Sequence, residues 1–362
     1  MMKLDFLPAG HGDCILIEYG DAAKPSRVLI DGGPVGTFKA LHRRLEALPP
    51  EERKLELFVV THVDADHVEG SVKLLHDTSL GLQFGDIWFN GWKHLEAGAE
   101  DATLGGVQGE MLSALIEERG HPWNAAFDGG PVMVRPGEPL PTHELPGGMK
   151  LTVLSPGPNQ MAKMRAAWAK EVRKAGLEPG VAREALEKLE RTKRLHGLTL
   201  GEDEASVKKL AEVRFDADDA PANGSSIALL AEFEDVKLLL TGDAYSPVVQ
   251  ASIDQLLEPT GAEALEVQLC KLAHHGSASN TSIDLLKRLR CKRWVFSSNG
   301  AYFNHPDPET VARVILHGGR DPQLIFNYKS KLNEQWDDRK LERSEGYKAI
   351  YPDGDDGIIV EL

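Results

Sequence analysis

Short apolar runs recur along the chain, each closed by a turn rich in glycine, aspartate or proline. Residues 3–7, 14–19 and 28–30 read as three strands joined by glycine-containing turns, which favours antiparallel pairing. Leu57, Phe58, Val59 and Val60 form an unbroken β-branched and aromatic run, the pattern of a buried strand. Further strands are predicted over 86–89, 151–154, 227–233, 236–240, 267–272 and 294–297, with a tight hairpin at Glu234-Asp235. Helical spacing separates them. Over 38–48 it puts Leu41, Leu45 and Leu48 on one face before Pro49-Pro50 stops the helix. Over 68–76 it turns Val72 and Leu75 inward, and 111–119 reads as another helix. The apolar runs at 324–326 and 357–360 are expected to complete a second sheet.

From 160 to 215 helix formers dominate and strands disappear, so we expect one domain over 1–362 with a helical insertion at 158–222. The 362 residues, 41% hydrophobic, suffice for a sizeable core. A formal net charge of −15 argues against a general nucleic-acid surface, so a polyanionic substrate would have to be met by metal ions or a local basic patch. Between 160 and 196 ten basic residues stand against five acidic ones, and Lys163, Arg165, Lys170, Arg173 and Lys174 are candidates for substrate binding. The alternative for these charges is a solvated helical hairpin with ordinary charge pairs. Cys14, Cys270 and Cys291 are scattered without CxxC spacing and read as reduced thiols of a cytoplasmic protein. No signal-peptide pattern opens the chain, and no apolar run approaches the roughly 18 residues of a membrane span.

Directly behind the run 57–60 comes Thr61, then His62-Val63-Asp64-Ala65-Asp66-His67. Imidazole and carboxylate are ligands for borderline to hard divalent ions. A turn leaving a strand can aim alternate side chains into one cavity, with His62 and Asp64 on one metal and Asp66 and His67 on another. The bland alternative is a solvated loop whose aspartate caps the next helix. Later strand ends carry Thr241-Gly242-Asp243, Ala273-His274-His275-Gly276-Ser277 and Asn304-His305-Pro306-Asp307-Pro308. Trp88 and Trp92 read as packing residues, and His94, His121 and His143 as surface or turn histidines without partners at ligand spacing.

The stretch 62–70 resembles the HxHxDH signature of the metallo-β-lactamase fold, in the HxDxDHxxG form typical of the ComEC competence hydrolase domain and its free-standing relatives. The segments GHGD, LIDGG, LLLTGDA, AHHGS and HPDP resemble further motifs of that family and extend the likeness over most of the chain. The resemblance implies an α/β fold, the four-layer αβ/βα sandwich, with a metal centre at one edge. It implies His62, Asp64, Asp66, His67, Asp243 and His274 as metal ligands, with Asp243 bridging two divalent ions, zinc or manganese. One of the adjacent imidazoles is expected to bind metal; His274 is favoured, which would leave His275 pointing toward substrate. Asp66, His275 and His305 are the expected catalytic residues, His305 holding a phosphate or donating a proton to a leaving group. Asp31 would support the ligands from behind, with a plain turn residue as its alternative, as for Asp13.

The family's usual third histidine for the first metal is missing here, and Asn223 stands in its place as a weak ligand or supporting residue. With Asp64 as the second motif position, this shifts the site toward oxygen-preferring ions. The expected activity is metal-assisted hydrolysis in which activated water attacks a phosphodiester, with nucleic acid ahead of a small cyclic nucleotide. The alternatives are hydrolysis of a small ester, lactone or thioester, and a non-catalytic metal-binding sensor or scaffold.

Overall fold

The computed structural model describes residues 1–95, 106–180 and 206–362; Arg183, Lys188, Arg191, Lys193 and Arg194 of the basic segment lie outside them. β1 (Met2–Phe6), β2 (Ile15–Tyr19) and β3 (Ser26–Ile30) form the antiparallel meander that the turns predict, with Leu4 opposite Ile17 and Ile15 opposite Ile30. The chain then makes a short parallel pair from β4 (Lys54–Leu55) and β6 (Gln83–Phe84), while β5 (Leu57–Val59) and β7 (Ile87–Trp88) extend the first sheet in parallel.

The second sheet collects β8 (Thr142–Glu144), β9 (Lys150–Ser155), β10 (Ala228–Phe233), β11 (Val236–Leu240), β12 (Leu265–Lys271), β13 (Leu289–Phe296), β14 (Gln323–Phe326) and β15 (Lys348–Ile350). Its order is β15-β14-β13-β12-β11-β10-β9-β8. The final strand, β16 (Ile358–Glu361), departs from expectation: it returns to the first sheet and pairs with β1, giving β16-β1-β2-β3-β5-β7.

Period-two patterning explains the layering. Leu4, Ile17, Val28, Ile30 and Val59 face Leu151, Val153, Leu229, Leu240, Leu269 and Val295 in a core between the sheets. The alternate residues Leu16, Leu29 and Phe58 turn outward onto Leu41, Leu45, Val72, Leu75 and Leu112 of the helices Phe38–Glu46, Ala65–His76 and Gly106–Glu118. Across the molecule Leu230, Leu239, Cys270 and Trp294 meet Val249, Ile253, Val311 and Ile315 of Ser246–Leu257 and Pro308–His317. Helix, sheet, sheet and helix follow in that order, the αβ/βα arrangement of the metallo-β-lactamase type.

The helix Pro158–Lys174 is built into the outer layer. Met161, Met164, Trp168 and Val172 lie in the same apolar cluster as Leu112 and Phe58. Trp168 also covers Gly109 so closely that a Cβ there would lie 2.3 Å from its ring and 2.9 Å from Val63. At the other end of the segment, Val207 and Ala211 join the opposite helical layer. Among the described residues no helix is long and apolar enough to cross a membrane. The three cysteines are free and buried.

Candidate metal centre

Parallel pairing brings the chemistry to one edge. β3 and β5 run side by side with Ile30 opposite Val59, so Asp31 and Thr61-His62 leave the sheet together. β11 and β12 do the same with Leu240 opposite Lys271, releasing Asp243 beside His274 and His275. The Ile227 N–H donates to Thr61 O at 3.0 Å and joins the two halves at this point.

The HVDADH stretch is partly helical. The helix begins at Ala65, earlier than the apolar spacing predicts, so Asp66 and His67 occupy its first turn and Asp64 is its N-terminal flanking residue. Asp64 makes no capping hydrogen bond with its side chain; Oδ2 lies 3.7 Å from His62 Nε2 instead. Close backbone packing holds this helix. Gly32 N–H donates to His67 O at 2.9 Å and Gly70 N–H to Gly33 O at 2.8 Å. A Cβ on Gly12, Gly32 or Gly70 would fall within 2.1 Å of Asp66 O, Ser71 N or Gly32 O respectively. Those motif glycines are there because no larger residue fits.

Four imidazoles point at one carboxylate oxygen. Asp243 Oδ2 lies 3.4 Å from His67 Nε2, 3.8 Å from His62 and His275 Nε2, and 3.9 Å from His274 Nε2. His275 Nε2 is also 3.4 Å from Asp66 Oδ2. Atoms bound about 2.0–2.1 Å from a tetrahedral metal stand roughly 3.3–3.4 Å apart, so such separations resemble edges of a coordination polyhedron. Beyond Asp243, His62 pairs with Asp64 at 3.7 Å and His275 with Asp66, and Asp13, His67, Asp243 and His275 offer buried metal-capable atoms all within 4.8 Å of one another.

The hydrogen bonds behind the rings select a tautomer able to bind a cation. His67 Nδ1–H donates to Asp31 Oδ2 at 2.8 Å, and Asp31 also accepts from Thr61 N–H and Oγ1–H. Because the Thr61 hydroxyl proton is committed to Asp31, its oxygen accepts from His62 Nδ1–H at 3.0 Å. His274 Nδ1–H donates to Asn280 Oδ1 at 3.1 Å, and the Asn280 amide group donates to Asp218 and to Asp243 O. His275 Nδ1 faces Ser297 Oγ at 3.2 Å, with Asp13 Oδ1 at 3.5 Å. With the proton on Nδ1, each Nε2 keeps its lone pair toward the centre.

The residues fit a bound cation. His62, His67 and His275 Nε2 and Asp243 Oδ1 are buried without a hydrogen-bond partner. An unsatisfied buried polar group costs about 1–3 kcal/mol, so the set stores a debt that a cation would offset. The field has the matching sign. Burial lowers the His67 ring, but Asp243, Asp31 and Asp66 more than reverse this and hold it well above its ordinary range. Burial likewise opposes His275, which Asp243 and Asp13 push up to about 9. Burial raises Asp243, yet His67, His275 and His274 hold it well below the usual carboxylate range. The carboxylates collectively favour positive charge here, which a divalent ion supplies.

The other expected residues lie around this centre. His275 is the fully buried imidazole, grouped with His67 and Asp243, whereas His274 sits at the rim with a side chain 19% exposed. Both rings converge because both residues are in the left-handed region, φ 48° and 54°, where the strand rule that neighbours point apart does not apply. Asn223 donates to Asp218 Oδ2 at 2.8 Å. His305 Nδ1 is 3.2 Å from Asp307 Oδ1, and its ring lies 5.0 Å from that of His274.

Arg165 is not free for substrate: it donates to Leu95 O at 2.8 Å and lies 4.2 Å over the Trp92 ring. Lys174 is 3.8 Å from Glu171, and Lys163, Lys170 and Arg173 face solvent. His94, read as a surface or turn residue, is a buried turn residue that accepts from Gly91 N–H.

Sequence reasoning left Asp13 between a motif position and a plain turn residue, and passed over Lys271. Asp13 lies within the buried metal-capable group, but one oxygen is ion-paired with fully buried Lys271, so it stands behind His275 as Asp31 stands behind His67. A lysine inside the apolar run LCKLA was the available signal, since a buried ammonium requires a partner.

No family model and no curated protein matches the chain. Among solved structures, a protein of Parabacteroides distasonis provisionally described as a metal-dependent hydrolase aligns over 97% of this chain and 92% of its own, with 11% identity and a TM-score of 0.38. CmlA, a diiron β-hydroxylase from Streptomyces venezuelae, aligns over 100% of this chain with 11% identity and a TM-score of 0.41; the chain spans 54% of its length.

Proposed function

We propose that the chain is a two-metal phosphodiesterase or nuclease, ComEC-like in its ligand pattern. The observation that carries this reading is the convergence of four Nε2 atoms on Asp243 Oδ2, three of them buried without partners. His67, Asp66 and His275 would hold an inner ion, and His62, Asp64 and His274 an outer one, with Asp243 common to both. His274 then supplies the imidazole missing at Asn223. Each set combines two imidazoles with two carboxylates, a mixture suited to zinc and manganese alike. Bound ions would lower the pKa of water and neutralise charge developing on a phosphoryl oxygen.

The chain's own residues do the rest. Asp31 and Asp13 orient His67 and His275, and Lys271 keeps Asp13 ionised. His305, steadied by Asp307, donates a proton to the departing oxygen. Lys163, Lys170, Arg173 and Lys174 offer distant phosphate contacts. The test is hydrolysis of bis(p-nitrophenyl) phosphate by chelated protein reloaded with manganese or zinc. Turnover restored by either ion supports the reading; metal-loaded protein that cleaves no phosphodiester overturns it.

A further inference from the structure

A group of rings at the mouth of the centre has no part in that chemistry. The loop 297–307 leaves β13 and is pinned on both sides of the site. Asn299 N–H donates to Gly10 O at 2.8 Å, Asp307 N–H to Gly276 O at 3.1 Å, and Ala278 N–H to Asp307 Oδ2 at 2.7 Å. On this anchored loop Tyr302 and Phe303 remain 49% and 44% exposed. Tyr302 stacks on His11 with centroids 5.0 Å apart and planes 24° from parallel. Phe303 lies 6.1 Å from His305 at 25°, and edge-on to His274 at 6.0 Å. His274 Nε2 is in turn 3.9 Å from Asp243 Oδ2. A continuous series of rings therefore runs from the shared carboxylate out to solvent.

We propose that Tyr302 and Phe303, backed by His11, stack an unpaired nucleobase neighbouring the phosphodiester at Asp243, which makes single-stranded nucleic acid the substrate. This rests on the phosphodiesterase reading above. Only an unpaired base offers its face to an aromatic side chain, because duplex bases already stack on each other. Stacking is also independent of charge, so a chain of net charge −15 can hold a polyanionic strand at this point without a basic groove.

The test compares a fluorescein-labelled oligothymidylate with an abasic strand of equal length, by anisotropy on chelated protein and by KM on metal-loaded protein. Wild type is expected to favour the base-bearing strand roughly tenfold in both ratios. The Tyr302→Ala/Phe303→Ala double variant should bring both ratios toward one, and Tyr302→Phe/Phe303→Tyr should restore them. Equal values for the two strands in wild type, or a preference that survives the double alanine variant, overturns the inference. If bis(p-nitrophenyl) phosphate is still hydrolysed in that case, only the stacking platform falls. If no phosphodiester is cleaved, the functional reading falls and takes the inference with it.

Discussion

Each imidazole of the candidate centre is fixed through its own Nδ1 partner, so the centre responds to changes one atom removed from it. His275→Ala deletes the buried ring grouped with Asp66 and His67, whereas His274→Ala deletes a ring at the rim. Metal content by elemental analysis is therefore expected to fall further in His275→Ala; equal or reversed losses would mean that the inner group is misassigned. Lys271 permits a stability test. Lys271→Met leaves Asp13 buried without its counter-charge, which is expected to cost about 3–5 kcal/mol in urea unfolding. The Lys271→Met/Asp13→Asn double variant should recover much of that loss. Asp13 and Asp31 show how far the residues alone can be read. Both sit in Gly-containing turns, GHGD and DGG, and look like turn residues in sequence. Their roles depend on imidazoles that arrive 36 positions later for Asp31 and from the other half of the chain for Asp13.

At the scale of elements, the helix Ala65–His76 that carries Asp66 and His67 is seated by contact between backbones. Gly70 presents no side chain, and a Cβ there would lie 2.0 Å from Gly32 O, an atom held in the DGG turn. Alanine is favoured over glycine within a helix by about 1 kcal/mol. Overpacking against a fixed backbone costs about 1–3 kcal/mol, and the contact here is far inside van der Waals distance, so the clash wins. Gly70→Ala should lower the unfolding midpoint and weaken metal binding together; a more stable variant with full metal content would show that the helix is not seated this way. The element types were legible in the chain, because buried runs and helical spacing mark most of them. Boundaries at the site were not. The DADH stretch has no apolar period, so it reads as a loop although Asp66 and His67 are already helical.

For the whole molecule, pattern reveals which faces are buried and leaves partners open. The apolar run ending at Val360 suits either sheet, and the structure gives it to β1, with Leu4 opposite Val360. The same limit applies to the segment 158–222, which composition marks as a helical insertion without revealing that Trp168 lies deep in the outer layer. Net charge remains informative at this scale. A protein with six to ten phosphate contacts loses roughly 10³–10⁵ in affinity between 50 and 200 mM salt. With −15 formal charges and Arg165 tied to Leu95 and Trp92, a shallower response is expected here. KM for a single-stranded oligonucleotide should change less than about tenfold over that range; a steep rise would indicate an extended basic groove. The most direct measurement is elemental analysis of wild type and Asp243→Asn after chelation and reloading, with circular dichroism to confirm folding. Two divalent ions per chain in wild type, and loss of that stoichiometry in a folded Asp243→Asn, is the predicted result. Full metal content in Asp243→Asn, or none in wild type, would contradict a centre built around this carboxylate.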